Sequence, residues 1–196
     1  MNCRKLAIVL ILIPLVTLPL AAQDERRAIQ SPPVYVPNVS CPKPITQTVT
    51  APPPSSPTLN ATDFSGTLGN AVAGSTWNQT KADKGFGHSF TVPSPGKECC
   101  IWTRATLIVK VKALQAGTAG MTGASVNDWV QLVKNGASVA GTGQQPFSGG
   151  ATVGQTATVT INVPQNVLNS GVISFYVQDD TAVQSAELRL EGCCIR

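Results

Sequence analysis

Histidine is almost missing from this chain of 196 residues: His88 is the single one, so histidine-rich metal sites are excluded. Any Ser-His-Asp or Cys-His arrangement would have to be built on it. Its setting, Gly85-Phe86-Gly87-His88-Ser89, reads as a surface turn, and no nucleophile elbow is present to offer a serine. Acidic residues number ten, which leaves Asp179-Asp180 as the one carboxylate pair to weigh for general acid–base or cation chemistry. These shortages point away from an enzyme. A basic surplus is missing too. The formal charge of +4 falls to +2 without Arg4 and Lys5, and beyond Leu59 basic and acidic residues nearly cancel. Nucleic acid is therefore not an expected partner, and Lys81, Lys84 and Lys97 read as solvated loop lysines. Aromatic residues make up 5% of the chain, so each one is worth placing.

Long hydrophobic runs are scarce as well. The apolar stretch from Leu6 to Leu20 falls short of the about 20 residues a membrane helix needs, and Pro14 and Pro19 interrupt it. With Arg4 and Lys5 before it and Ala21-Ala22 after it, it reads as an export signal over residues 1–22, removed near Ala22 together with Cys3. No second such segment follows, so no membrane span is expected after cleavage, and the mature chain is expected to be secreted, periplasmic or on a cell surface. Residues 23–58 read as an extended linker, because nine of the fifteen prolines lie between Ser31 and Pro57. From residue 59 to 196 the composition turns to Gly, Thr, Val and Ala, enough chain for one domain with a sizeable core.

That domain alternates with the period of a strand. Ala105, Leu107, Val109, Val111 and Ala113 share one face of the segment Ala105 to Ala113; Ala157, Val159, Ile161 and Val163 share a face of Thr156 to Val163. Ile173, Phe175 and Val177 do so in Ser170 to Gln178, and Ala186, Leu188 and Leu190 in Ser185 to Cys194. Trp129 to Lys134 runs into Asn135-Gly136, a pair that favours positive φ and so a tight hairpin into Ala137 to Ala140. Val72 to Trp77 and Ser89 to Val92 are further strand candidates, and Gln165 to Leu168 reads as one short helical turn. The fold class expected is all-β, an antiparallel β-sandwich, jelly-roll-like because the two segments carrying cysteine pairs look like partners.

Those pairs are Cys99-Cys100 and Cys193-Cys194. Setting Cys99 opposite Cys194 matches the apolar faces of the two strands, and predicts cross-strand disulfides Cys99 to Cys194 and Cys100 to Cys193. Crossed or vicinal bridges and a four-thiolate zinc site are the alternatives, zinc being disfavoured by adjacent cysteines in an exported chain. Cys41 is left odd, a candidate for a disulfide dimer.

Candidate ligand contacts follow from the same alternation. Trp102, Arg104 and Tyr176 fall on faces opposite the core, and an exposed ring beside polar groups is a platform for sugar stacking, though a Trp capping a sandwich edge is the plainer account. Asp179 and Asp180, with carbonyls near them and Asp128 as a further oxygen donor, are candidate calcium ligands, against ordinary turn chemistry for Asp-Asp-Thr. The run Gly171-Val172-Ile173-Ser174-Phe175-Tyr176-Val177-Gln178-Asp179-Asp180-Thr181, followed by Ala186-Glu187-Leu188-Arg189-Leu190, resembles the closing strands of secreted bacterial jelly-roll modules of the carbohydrate-binding type. The resemblance covers about a tenth of the chain, carries over no binding residues, and implies a sandwich with a polysaccharide or surface glycan as partner. The expectation is a non-catalytic binding module without a cofactor other than a candidate calcium ion. The alternative is a structural or adhesive extracellular protein with a protein partner.

Overall fold

Strict alternation over nine residues sets the frame. β3 (Cys100–Ala113) buries Ala105, Leu107, Val109, Val111 and Ala113, and β10 (Thr181–Cys194) beside it buries Ala186, Leu188 and Leu190. Branched aliphatic side chains at period two fit a pleated strand with one covered face. β8 (Thr156–Asn162) turns Val159 and Ile161 inward and leaves Thr156, Thr158 and Thr160 exposed. In the computed structural model, which describes residues 41–51, 56–96, 99–118, 128–178 and 180–194, these strands form a four-stranded antiparallel sheet in the order β1-β10-β3-β8, with β1 at Lys43–Ala51.

A second sheet, in the order β2-β9-β5-β6, packs across the core from the first; its strands are β2 (Phe86–Thr91), β5 (Val130–Lys134), β6 (Ala137–Ser138) and β9 (Val172–Val177). Phe86, Phe90, Leu132, Ile173, Phe175 and Val177 meet Leu107, Val109 and Leu188 there. A two-stranded ribbon of β4 (Gly117–Thr118) and β7 (Gly150–Ala151) stands apart. The pairs β1 with β10, β2 with β9, β3 with β8 and β5 with β6 nest inside one another, so the chain is one long antiparallel hairpin rolled into two sheets. That is the jelly roll. Asn135 and Gly136 both have positive φ, 50° and 76°, as the tight hairpin requires.

The linker expected over residues 23–58 does not run unbroken. Its second half contains β1, which pairs with β10 over nine residues from Lys43 opposite Cys194 to Ala51 opposite Ala186, and Pro42–Arg196 is one compact unit. Proline density hid a nine-residue alternating run with a single proline, Pro44, near the start of an edge strand where its missing N–H is tolerated. The signal segment lies outside the described residues, and among those described no helix is long and apolar enough to cross a membrane. The strand expected from Val72 to Trp77 is instead the end of α1 (Gly66–Val72) and a turn, a helix too short to show its own period. α2 occupies Gln165–Leu168 as expected.

The pairing of β3 with β10 differs from the expected register by two residues through the core, Leu107 facing Leu188 and Val109 facing Ala186. A slip of two keeps every side chain on its face, so the core composition survives it. Toward the cysteines a bulge at Thr103 shortens the offset, which brings Cys100 opposite Cys194, and these two form a disulfide. The expected bridges Cys99 to Cys194 and Cys100 to Cys193 are thereby corrected. Cys41 is not odd: it is bonded to Cys193, and Cys99 is disulfide-bonded as well. Among the described residues no free cysteine is left to form a thiolate set for zinc.

Candidate functional site

The outer face of the second sheet is the place to look, because half of it is roofed and half is not. Core packing of Val130, Leu132, Phe175 and Val177 forces Gln131, Val133, Ser174 and Tyr176 to the other side. Over one end lies the chain from Asn60 to Val72, whose Phe64, Leu68 and Val72 pack on Val133 and Tyr176. Gly87 of β2 permits this: a Cβ there would sit 2.5 Å from Cε1 of Phe64. Fully buried Asp63 pins the roof. Its Oδ2 accepts from Ser174 Oγ at 2.7 Å, its Oδ1 accepts from the Asn135 N–H at 3.1 Å, and Lys134 Nζ lies 3.4 Å from Oδ1. Ser174 Oγ and Ser89 Oγ are 2.8 Å apart, and Ser89 Oγ accepts from the Asn60 N–H at 2.8 Å. Both oxygens of this buried carboxylate thus have partners, as a buried polar group requires.

At the other end stands Trp129, immediately before β5 and on the same face as Gln131. It is 39% exposed. Its six-membered ring lies over Gly143, where a Cβ would be 2.8 Å from Cε3 and 3.2 Å from Cζ3. The absence of a side chain at Gly143 lets the indole lie against the backbone. Gln178, at the end of β9, locks the arrangement: its Oε1 accepts from the Trp129 N–H at 2.9 Å, and its own N–H donates to the Trp129 carbonyl at 3.3 Å. The result is a ring held in place by strand ends, bordered by the amides of Gln131 and Gln178. An aromatic face beside amide donors and acceptors can stack an apolar ring face and hydrogen-bond groups at its edge.

The residues singled out from sequence do not assemble there. Trp102 leaves the outer face of its sheet because the bulge at Thr103 inverts the alternation; it pairs with Gly192, packs against the core, and donates its indole N–H to the Pro93 carbonyl at 2.7 Å. Ile101 takes the exposed position instead. Arg104 does face outward, 3.6 Å from Glu191 Oε2, beside a depression of about 520 Å³ that Thr106 and Asn162 also line. Tyr176 is on the far sheet, half-buried under α1, and a Cβ on Gly85 would meet its ring at 2.8 Å. Trp102, Arg104 and Tyr176 thus lie on three different surfaces.

Asp180 is buried, with the Asp83 N–H 3.4 Å from its Oδ1, and Asp128 is fully buried with its Oδ2 accepting from Thr181 Oγ1 at 2.6 Å. Asp179 lies outside the described residues, and among those described no three of His, Cys, Asp and Glu converge on one point.

His88 is no surface turn residue. It sits in β2 with 8% exposure, edge-on to Phe90 at 4.7 Å and to Trp77 at 5.1 Å, and its Nδ1 accepts from the Thr58 N–H at 3.2 Å. Burial lowers its pKa to about 4. The two glycines that made its neighbourhood look loop-like serve the close approach of Tyr176 and Phe64. Sequence alone does not single out Trp129, because its segment alternates weakly; the signal that could find it is its parity with Gln131, opposite the apolar Val130 and Leu132. No protein-family model matches this chain, and no curated protein does either.

Proposed function

We propose that this protein is a secreted, non-catalytic β-sandwich module that binds carbohydrate, a polysaccharide or a surface glycan. The observation that carries the reading is Trp129: a partly exposed indole laid on the sheet at Gly143 and fixed through its backbone by Gln178. Pyranose rings are held by stacking of their apolar face with hydroxyls read at the edge, which this arrangement supplies. Export, to the periplasm, the cell surface or the medium, is supported by the signal-like N-terminus and by disulfide bonding, which suits oxidising compartments. A non-catalytic role is supported by His88, whose burial and bond from Thr58 keep it from acting as a base on an external substrate.

A second reading, an adhesive or structural domain with a protein partner, is favoured by the outer face of the first sheet. There Arg104, Arg189 and Glu191 are exposed and paired among neighbours, and threonines line both edge strands. The test is retention of the purified secreted chain on a panel of insoluble polysaccharides and soluble glycans, in calcium and in chelator. Saturable retention is expected. Sensitivity to chelator would bring Asp179 and Asp180 back as calcium ligands, and absence of retention on every member would move the function to a protein partner.

A further inference from the structure

Resting on the carbohydrate reading, we infer that the ligand at Trp129 is an uncharged polysaccharide, read by stacking and by the amides of Gln131 and Gln178 without any ion pair. Between Ala113 and Gln178 the sequence holds two charged residues, Asp128 and Lys134. Neither is offered to a ligand: Asp128 is fully buried against Thr181, and Lys134 is drawn to buried Asp63. In sequence, the residues on either side of Trp129, 114–127 and 135–155, include no charged residue, Asp128 and Lys134 lying between them.

The polar groups that remain are suited to hydroxyls. Gln178 spends its Oε1 on the Trp129 N–H, which orients the side chain, and its NH2 group makes no hydrogen bond among the described residues. The Gln131 amide has both a donor and an acceptor and likewise no partner among the described residues. A hydroxyl, donor and acceptor at once, satisfies either amide, whereas a carboxylate satisfies only the N–H side. Amide-to-hydroxyl recognition pairs no net charges, so binding is expected to be indifferent to salt.

The experiment measures retention of the secreted chain on cellulose, chitin and β-1,3-glucan particles against alginate and polygalacturonate gels, in about 0.1 M and about 1 M NaCl, which shortens screening from about 10 Å to about 3 Å. The expected result is retention on at least one uncharged matrix, unchanged by salt, and weakened about ten-fold or more by Trp129→Ala. Gln178→Glu keeps the acceptor for the Trp129 N–H while replacing the donor with charge, and should weaken binding several-fold. Gly143→Ala, which lifts the ring off the backbone while retaining it, should do the same, and it carries the test if Trp129→Ala does not fold. Retention confined to the acidic gels and abolished by salt would overturn the uncharged ligand and leave the binding module standing. Retention unaffected by Trp129→Ala, Gly143→Ala and Gln178→Glu alike would overturn the site, and failure on every matrix would remove both readings together.

Discussion

The two outer faces of this sandwich are built by the same alternation and end up with opposite chemistry. On the first sheet Thr46, Thr48 and Thr50 of β1, Glu187, Arg189 and Glu191 of β10, Arg104 and Lys110 of β3, and Thr156, Thr158 and Thr160 of β8 form rows of hydroxyls and charges; nearly all are exposed. On the second sheet the outward residues are Ser89, Gln131, Val133, Ser174 and Tyr176, uncharged, half of them roofed by the segment around α1. Period two decides which side chains leave the core. It does not decide what meets them outside, and the difference is why Tyr176 is covered while Trp129 is not.

The largest effect should come from striking what the two faces share. Phe175 is fully buried between the sheets and touches Phe86, Phe90 and His88 through ring contacts. Phe175→Ala should cost about 3–5 kcal/mol, read as the shift in urea midpoint, and take both faces down in one transition. Two separate transitions would mean the sheets are not one cooperative unit.

Next comes a change confined to the first sheet. The Cys100–Cys194 bridge joins residues 94 apart in sequence and closes the end of the β3–β10 ladder. Replacing both with alanine should remove about 2–4 kcal/mol, since long loops gain most from a cross-link. Glycan retention through Trp129, on the other sheet, should persist as long as the domain stays folded. Loss of retention in the folded variant would tie the two faces together more closely than the shared core does.

Acid should act from the second sheet. His88 has a folded pKa of about 4 against an ordinary 6.5, so the unfolded chain binds the extra proton. Its contribution is complete above pH about 6.5 and is lost as pH falls toward about 4, roughly 3 kcal/mol across that window. Urea midpoints between those pH values measure it. His88→Gln should flatten that slope; an unchanged slope in the variant would assign the acid sensitivity to the carboxylates instead.

Much of this fold is legible in the chain because four segments alternate strictly. Ala105 to Ala113, Thr156 to Val163, the run around Phe175 and the run around Leu188 all turn the expected residues inward. What the period misses is whatever breaks it. One bulge at Thr103 moves Trp102 from the surface to the core and changes which cysteines face each other. A strand inside proline-rich sequence escaped because composition averages over a window longer than β1, and α1 escaped because seven residues cannot display a helical stripe. The site was less legible than the fold. Trp129 depends on Gly143 and Gln178, residues 14 and 49 positions away, and sequence patterns carry no such distances.

The smallest effect sharpens the comparison most. Arg104 lies on the first sheet with its side chain 69% exposed, and its partner Glu191 is 55% exposed at 3.6 Å. Solvent screens such a pair, so Arg104→Ala should change stability by no more than about 0.5 kcal/mol. It should also leave glycan retention within measurement error, because the opposite sheet carries Trp129. Were Arg104→Ala to weaken retention as much as Trp129→Ala does, while melting like the parent chain, the ligand would have to sit on the charged face. Salt dependence would then appear with it, since a guanidinium brings a net charge to the contact that amides lack. The single substitution therefore separates a sandwich that binds through its uncharged face from one that binds through its charged one.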